Sequence, residues 1–77
     1  MKITNDIKRN LENKLLILTT GENDYLFRFD TDKKLWNCLV YNTKEVEEAN
    51  FYDRPLDPIQ EIYYNNYSEV LEAIKKL

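Results

Sequence analysis

The chain has 77 residues, 11 Lys and Arg against 14 Asp and Glu, one cysteine and no histidine. A domain of this length buries only about 60% of the surface its unfolded chain exposes, so residues 1–77 read as one small domain whose core leans on large side chains. Aromatics make up 13% of the chain, and each buries roughly 150–250 Å². A single cysteine excludes an intramolecular disulfide framework and fits a reducing compartment. The absence of histidine removes the commonest general base and metal ligand.

At the N-terminus, Thr4 or Asn5 caps a short amphipathic helix over 5–13, with Ile7 and Leu11 along one face. Helices this short are marginal alone, so this one needs a sheet to lie on. No apolar run here resembles a signal peptide, and none anywhere approaches the ~20 residues of a membrane span. The expected location is the cytoplasm. Asn66-Tyr67-Ser68 matches the glycosylation sequon, but without an export signal it has no role.

The stretch from Lys14 to Tyr41 contains three apolar runs separated by Thr20-Gly21-Glu22-Asn23 and Thr31-Asp32-Lys33-Lys34. Their β-branched and aromatic content predicts strands. Gly21, the only glycine in the chain, suits a Gly-first hairpin turn, while the second break suits a four-residue loop around a type I turn. Even-numbered loops pair Leu18 with Tyr25, Leu16 with Phe27, Phe29 with Trp36, Phe27 with Cys38 and Tyr25 with Val40. All of these then share one face, because side chains alternate along a strand. The other face carries Leu15, Ile17, Leu26, Leu35, Leu39 and Tyr41 among polar residues. That face is too apolar to be simply solvated, so another element covers part of it or it is a contact surface.

Beyond Tyr41, Asn42-Thr43-Lys44-Glu45 resembles a capping box and predicts a short helix over 44–50. Phe51 and Tyr52 are expected to anchor the loop that follows. Asp57-Pro58-Ile59-Gln60 reads as a helix start. Apolar residues from Ile59 to Leu77, Tyr63 and Tyr67 among them, recur at helical spacing and predict helix over 59–77. Asn65-Asn66 is a possible break, with Ser68 capping a second helix. The fold class is α+β: an N-terminal helix, a three-stranded antiparallel β-meander and a helical C-terminal part, with room for an extra short helix.

Chemistry is sparse. Cys38 falls on the core face of a strand and reads as a buried, inert thiol. Asp30-Thr31-Asp32 echoes the start of an EF-hand loop, but residue 35 is Leu and residue 41 is Tyr where that loop needs Gly and Glu. One glycine excludes a phosphate-cradling loop. The carboxylates are numerous enough for a glycosidase pair, yet a chain this small rarely forms the cleft that such a pair needs. The expectation is a protein with no catalytic activity, cofactor or metal.

The charge is unevenly spread. Residues 45–72 carry eight carboxylates against Arg54 alone, while residues 1–41 are nearly neutral. Direct binding to nucleic acid is excluded, since phosphate affinity comes from clustered Lys and Arg. Tyrosine interleaves with the acids, and it is favoured at interface hot spots for its large rigid area and polar tip. The candidate partner-binding residues are Glu45, Glu47, Glu48, Tyr52, Asp53, Asp57, Glu61 and Tyr64, directed at a protein with a basic surface.

This order of elements, on a short chain with a concentrated acidic segment, resembles small phage-encoded inhibitors of bacterial defence nucleases, of the anti-CRISPR type. The resemblance covers the architecture and rests on no diagnostic motif, so it transfers no functional residue. It implies a protein that occupies the basic site of a nuclease. Two alternatives stand beside it: an antitoxin or immunity protein that neutralises a cognate toxin, and a self-associating module that forms a homodimer through the sheet face bearing Leu15, Ile17, Leu26 and Leu39.

Overall fold

The computed structural model describes residues 1–77. Three helices and four strands follow one another as α1 (Asn5–Glu12), β1 (Leu15–Thr19), β2 (Asn23–Asp30), β3 (Leu35–Asn42), α2 (Thr43–Phe51), β4 (Gln60–Tyr64) and α3 (Tyr67–Lys75). The strands form one antiparallel sheet in the order β1-β2-β3-β4. The chain is α+β as expected, with one strand more than the sequence predicts.

The meander pairs in the register that side-chain alternation demands. Leu16 lies opposite Phe27, Leu18 opposite Tyr25, Phe27 opposite Cys38 and Phe29 opposite Trp36. Gly21 takes φ 94° in the first turn, a conformation open to glycine at little cost. The second turn has no glycine. There the Asp30 carboxylate accepts the N–H groups of Asp32 and Lys33 at 3.0 and 3.1 Å, and Lys34 adopts φ 56° to close the loop.

The helical reading of 59–77 holds only from Tyr67. Residues Gln60–Tyr64 instead form β4, which pairs Cys38 with Ile62 and Trp36 with Tyr64. A short segment such as Gln-Glu-Ile-Tyr-Tyr suits either period, and here the open edge of β3 decides. Without β4, the backbone groups on that side of a strand buried from Trp36 to Val40 would lack partners. Pro58 therefore precedes an edge strand rather than starting a helix, and the Ile59 N–H donates to the Val40 carbonyl at 2.8 Å. The break at Asn65-Asn66 is real, but Asn66 rather than Ser68 caps α3, accepting from the Glu69 N–H at 3.0 Å.

α1 and α3 cover the aromatic face. Ile7 and Leu11 from α1 and Val70 and Ile74 from α3 close over Leu16, Phe27, Trp36, Cys38 and Val40 to make one core. Thr4 caps α1 through its side-chain oxygen, which accepts from the Ile7 N–H. Tyr67 is 38% exposed rather than buried, its ring 6.1 Å from that of Trp36. Tyr63 is placed by the pleat of β4 on the opposite face and is 41% exposed. Neither is the core tyrosine that helical spacing predicts.

Phe27 is the largest fully buried side chain and belongs to the core cluster that joins the sheet to α1 and α3, with the Tyr64 ring stacked beside it. Phe27→Ala is expected to cost about 3–5 kcal/mol, a large share of the margin of a small domain. Urea unfolding followed by tryptophan fluorescence measures it.

Candidate functional site

The face of the sheet opposite the core is only half covered, and the acidic segment supplies the cover. α2 begins where Asn42 accepts from the Glu45 N–H at 3.1 Å. Thr43 ties it to the first hairpin, its hydroxyl donating to Asp24 at 2.7 Å and its N–H to the Glu22 carbonyl at 2.9 Å. Ala49 is buried and Val46 half-buried against this face, which leaves Leu39 buried and Leu26 half-buried. Between α2, its trailing loop and the sheet lies a cleft of about 310 Å³, lined by Ile17, Leu26, Tyr41, Val46, Ala49 and Leu56 among others. The face that side-chain alternation offered for self-association is thus reduced to Leu15 and Ile17, 51% and 66% exposed.

α2 ends in a Schellman turn. The Arg54 N–H donates to the Ala49 carbonyl at 2.9 Å and the Asp53 N–H to the Asn50 carbonyl at 3.3 Å, with Asp53 at φ 49°. That left-handed position usually belongs to glycine. Phe51 and Tyr52, on the last helical turn and its cap, are 81% and 66% exposed. They do not anchor the loop as the sequence suggests. Their rings meet edge to face at 4.9 Å, and the Arg54 guanidinium lies 5.8 Å from the Tyr52 ring. Glu47 and Glu48 precede Phe51 by four and three positions, so they are its neighbours on the helix surface.

The predicted site residues separate into two groups. Glu45, Glu47 and Glu48 are exposed on α2, Tyr52, Asp53 and Asp57 are exposed in the connection to β4, and Glu61 is exposed on β4 opposite Leu39. One weak pair, Arg54 with Glu48 at 3.5 Å, is the only ion pair in this set. Tyr64 stands apart. The pleat turns it to the core face, where its ring stacks 6.4 Å from Phe27, and burial raises its hydroxyl pKa, helped by nearby Cys38. Glu69 and Glu72, acids of the same sequence stretch, are structural instead: Glu69 accepts the Asn65 N–H at 2.7 Å and Glu72 pairs with Lys75 at 3.2 Å.

The uncovered half of the same face is cationic. Asn37 is fully buried and accepts from Arg28 Nε at 3.0 Å, while its own amide nitrogen lacks a partner. Lys33 donates to the Tyr63 hydroxyl at 3.0 Å and lies 4.7 Å from that ring. The Tyr63 hydrogen bond raises the Lys33 pKa above its ordinary value. Sequence reading missed Phe51 as a surface aromatic, although its place at the end of an acidic helix was visible.

Side chains that hold catalytic or metal chemistry elsewhere do not converge here. No group of three His, Cys, Asp or Glu residues is placed to hold a metal ion. No helix is long and apolar enough to cross a membrane. Comparison of the chain with protein-family models, curated proteins and solved structures found no match.

Cys38 lies in the core, and burial pushes its thiol pKa up to about 12 from 9.0. A thiol held neutral in this way is a poor nucleophile. The folded state binds its proton more tightly than the unfolded chain does, so the stability it contributes is complete below pH 9.0 and falls as pH rises toward 12. Thermal unfolding across that window should show the loss, and Cys38→Ala should flatten it. An aromatic disulfide reagent should label Cys38 only on unfolding. Asp53→Gly should relieve the left-handed strain and stabilise the fold by up to about 1 kcal/mol, read from the urea midpoint.

Proposed function

We propose that this chain is a non-catalytic binding protein that masks a basic site on a protein partner. The observation that carries the reading is the aromatic pair Phe51 and Tyr52, exposed at the end of α2 and flanked by Glu47, Glu48 and Asp53. Two large apolar rings held out in water are a standing cost that a partner's surface relieves, and aromatic side chains dominate the energy of many interfaces. The surrounding carboxylates choose the partner's charge and speed its approach. Glu45, Asp57 and Glu61 extend the same acidic field, in which Arg54 with Glu48 is the single ion pair.

The basic nucleic-acid site of a defence nuclease is a partner of this chemistry, and inhibition of such an enzyme is the use that the anti-CRISPR-type resemblance suggests. The mechanism is occupation of the site by a protein surface rather than imitation of a phosphate chain. The net charge of −3 is small for a phosphate mimic, and the aromatic pair has no counterpart in a charged backbone.

The test is affinity capture from host lysate with wild-type protein, Phe51→Ala and the triple variant of Glu45, Glu47 and Glu48 to Gln as baits, followed by mass spectrometry. Wild-type protein should retain a partner with a basic surface. Phe51→Ala should weaken binding by about 2 kcal/mol or more, as hot-spot aromatics do. The triple variant should slow association and flatten its dependence on ionic strength. Equal capture by all three baits, or binding indifferent to salt, rejects the proposal. Capture of a toxin in place of a nuclease selects the neutralising alternative.

A further inference from the structure

We infer that the exposed edge of β1 is a self-association surface, and that its occupant is the β1 strand of a second copy of this chain, antiparallel and centred on Ile17. β1 ends the sheet on one side. The Thr20 N–H donates to the Asn23 carbonyl and the Phe29 N–H to the Lys14 carbonyl, at 3.0 and 3.3 Å. In an antiparallel ladder such bonds recur at every second residue, so Lys14, Leu16, Leu18 and Thr20 turn their backbone groups toward β2. Leu15, Ile17 and Thr19 therefore turn theirs outward, where no strand pairs with them.

A two-fold axis at Ile17 sets Ile17 against Ile17 of the second copy and Leu15 against its Thr19. This is the antiparallel register that pairs all the outward-turned residues at once, each meeting a residue that also turns its groups outward. The interface is isologous and closes on itself. It merges the two sheets into one and lays Ile17 against its counterpart, with Leu15 of each copy beside Thr19 of the other on the same face.

Charge agrees with that choice. The strand Leu-Leu-Ile-Leu-Thr carries none, so self-pairing opposes no like charges. The flanking cation Lys14 falls opposite Thr20 of the second copy, beside the turn that carries the exposed carboxylate of Glu22. The contrast with the other edge is informative. β4 has an exposed glutamate, Glu61, within it and Pro58 just before it, two devices that discourage edge pairing, whereas β1 contains neither.

The experiment joins sedimentation equilibrium with amide hydrogen exchange on the wild-type chain over a dilution series. A reversible dimer is expected, with the Leu15, Ile17 and Thr19 amides exchanging at least about tenfold more slowly at high concentration than at low. The Leu16 and Leu18 amides, already bonded to β2, should stay protected throughout. Ile17→Lys should give a folded monomer in which the odd-numbered amides exchange fast at every concentration. A wild-type chain that sediments as a monomer throughout overturns the inference. So does a dimer that leaves exchange at Leu15, Ile17 and Thr19 unchanged, or one that persists in Ile17→Lys. Should Ile17→Lys fail to fold, the wild-type exchange pattern decides alone.

Discussion

Strand β3 is buried from Trp36 to Val40, on both faces of the sheet, and this double burial constrains everything around it. A strand with one wet face could be served by two strands and a single layer of helix. A strand dry on both faces needs a hydrogen-bonded neighbour on each edge and cover above and below. β2 and β4 supply the edges, α1 and α3 the cover over Phe27, Trp36 and Cys38, and α2 part of the cover on the opposite face. A chain of 77 residues has little left over, and the second face is finished only in part.

The unfinished part is where the chemistry of the surface lies. α2 faces Leu26 and Tyr41 with Val46 and Ala49, and its carboxylates are exposed to solvent. Its end is forced by a left-handed turn at Asp53 rather than by packing of the aromatics next to it. Phe51 and Tyr52 are consequently left outside. Toward the other end of the same face, Asn37 is buried with half its hydrogen-bonding capacity unmet and Arg28 as its only partner. An unmet buried amide costs about 1–3 kcal/mol, which marks this corner as one not optimised for stability alone.

Charge that looks continuous along the chain is divided by the fold. The acidic stretch crosses the sheet between α2 and α3, so Glu69 and Glu72 end on the opposite side from Glu45, Glu47 and Glu48. They serve as cap and helix pair there. What remains on the α2 side is a smaller but more concentrated acidic surface, joined to exposed aromatic rings.

The meander was legible in the residues themselves. Period-two alternation from Leu16 to Val40 allows one register that gathers the aromatics on a single face, and local turn chemistry at Gly21 and Asp30 agrees with it. The caps at Thr4 and Asn42 were equally readable, because a cap is an interaction between near neighbours. Tertiary structure decided the rest. Gln60–Tyr64 is a strand because the open edge of β3 offers backbone partners that no local pattern reveals, and that decision turned Tyr64 inward and Tyr63 outward. The exposure of Phe51 and Tyr52 follows from where α2 comes to rest, which depends on the fit of Ala49 against a sheet assembled from distant residues. Local sequence determines periodicity, capping and turns, whereas edge pairing and burial depend on partners far away in the chain.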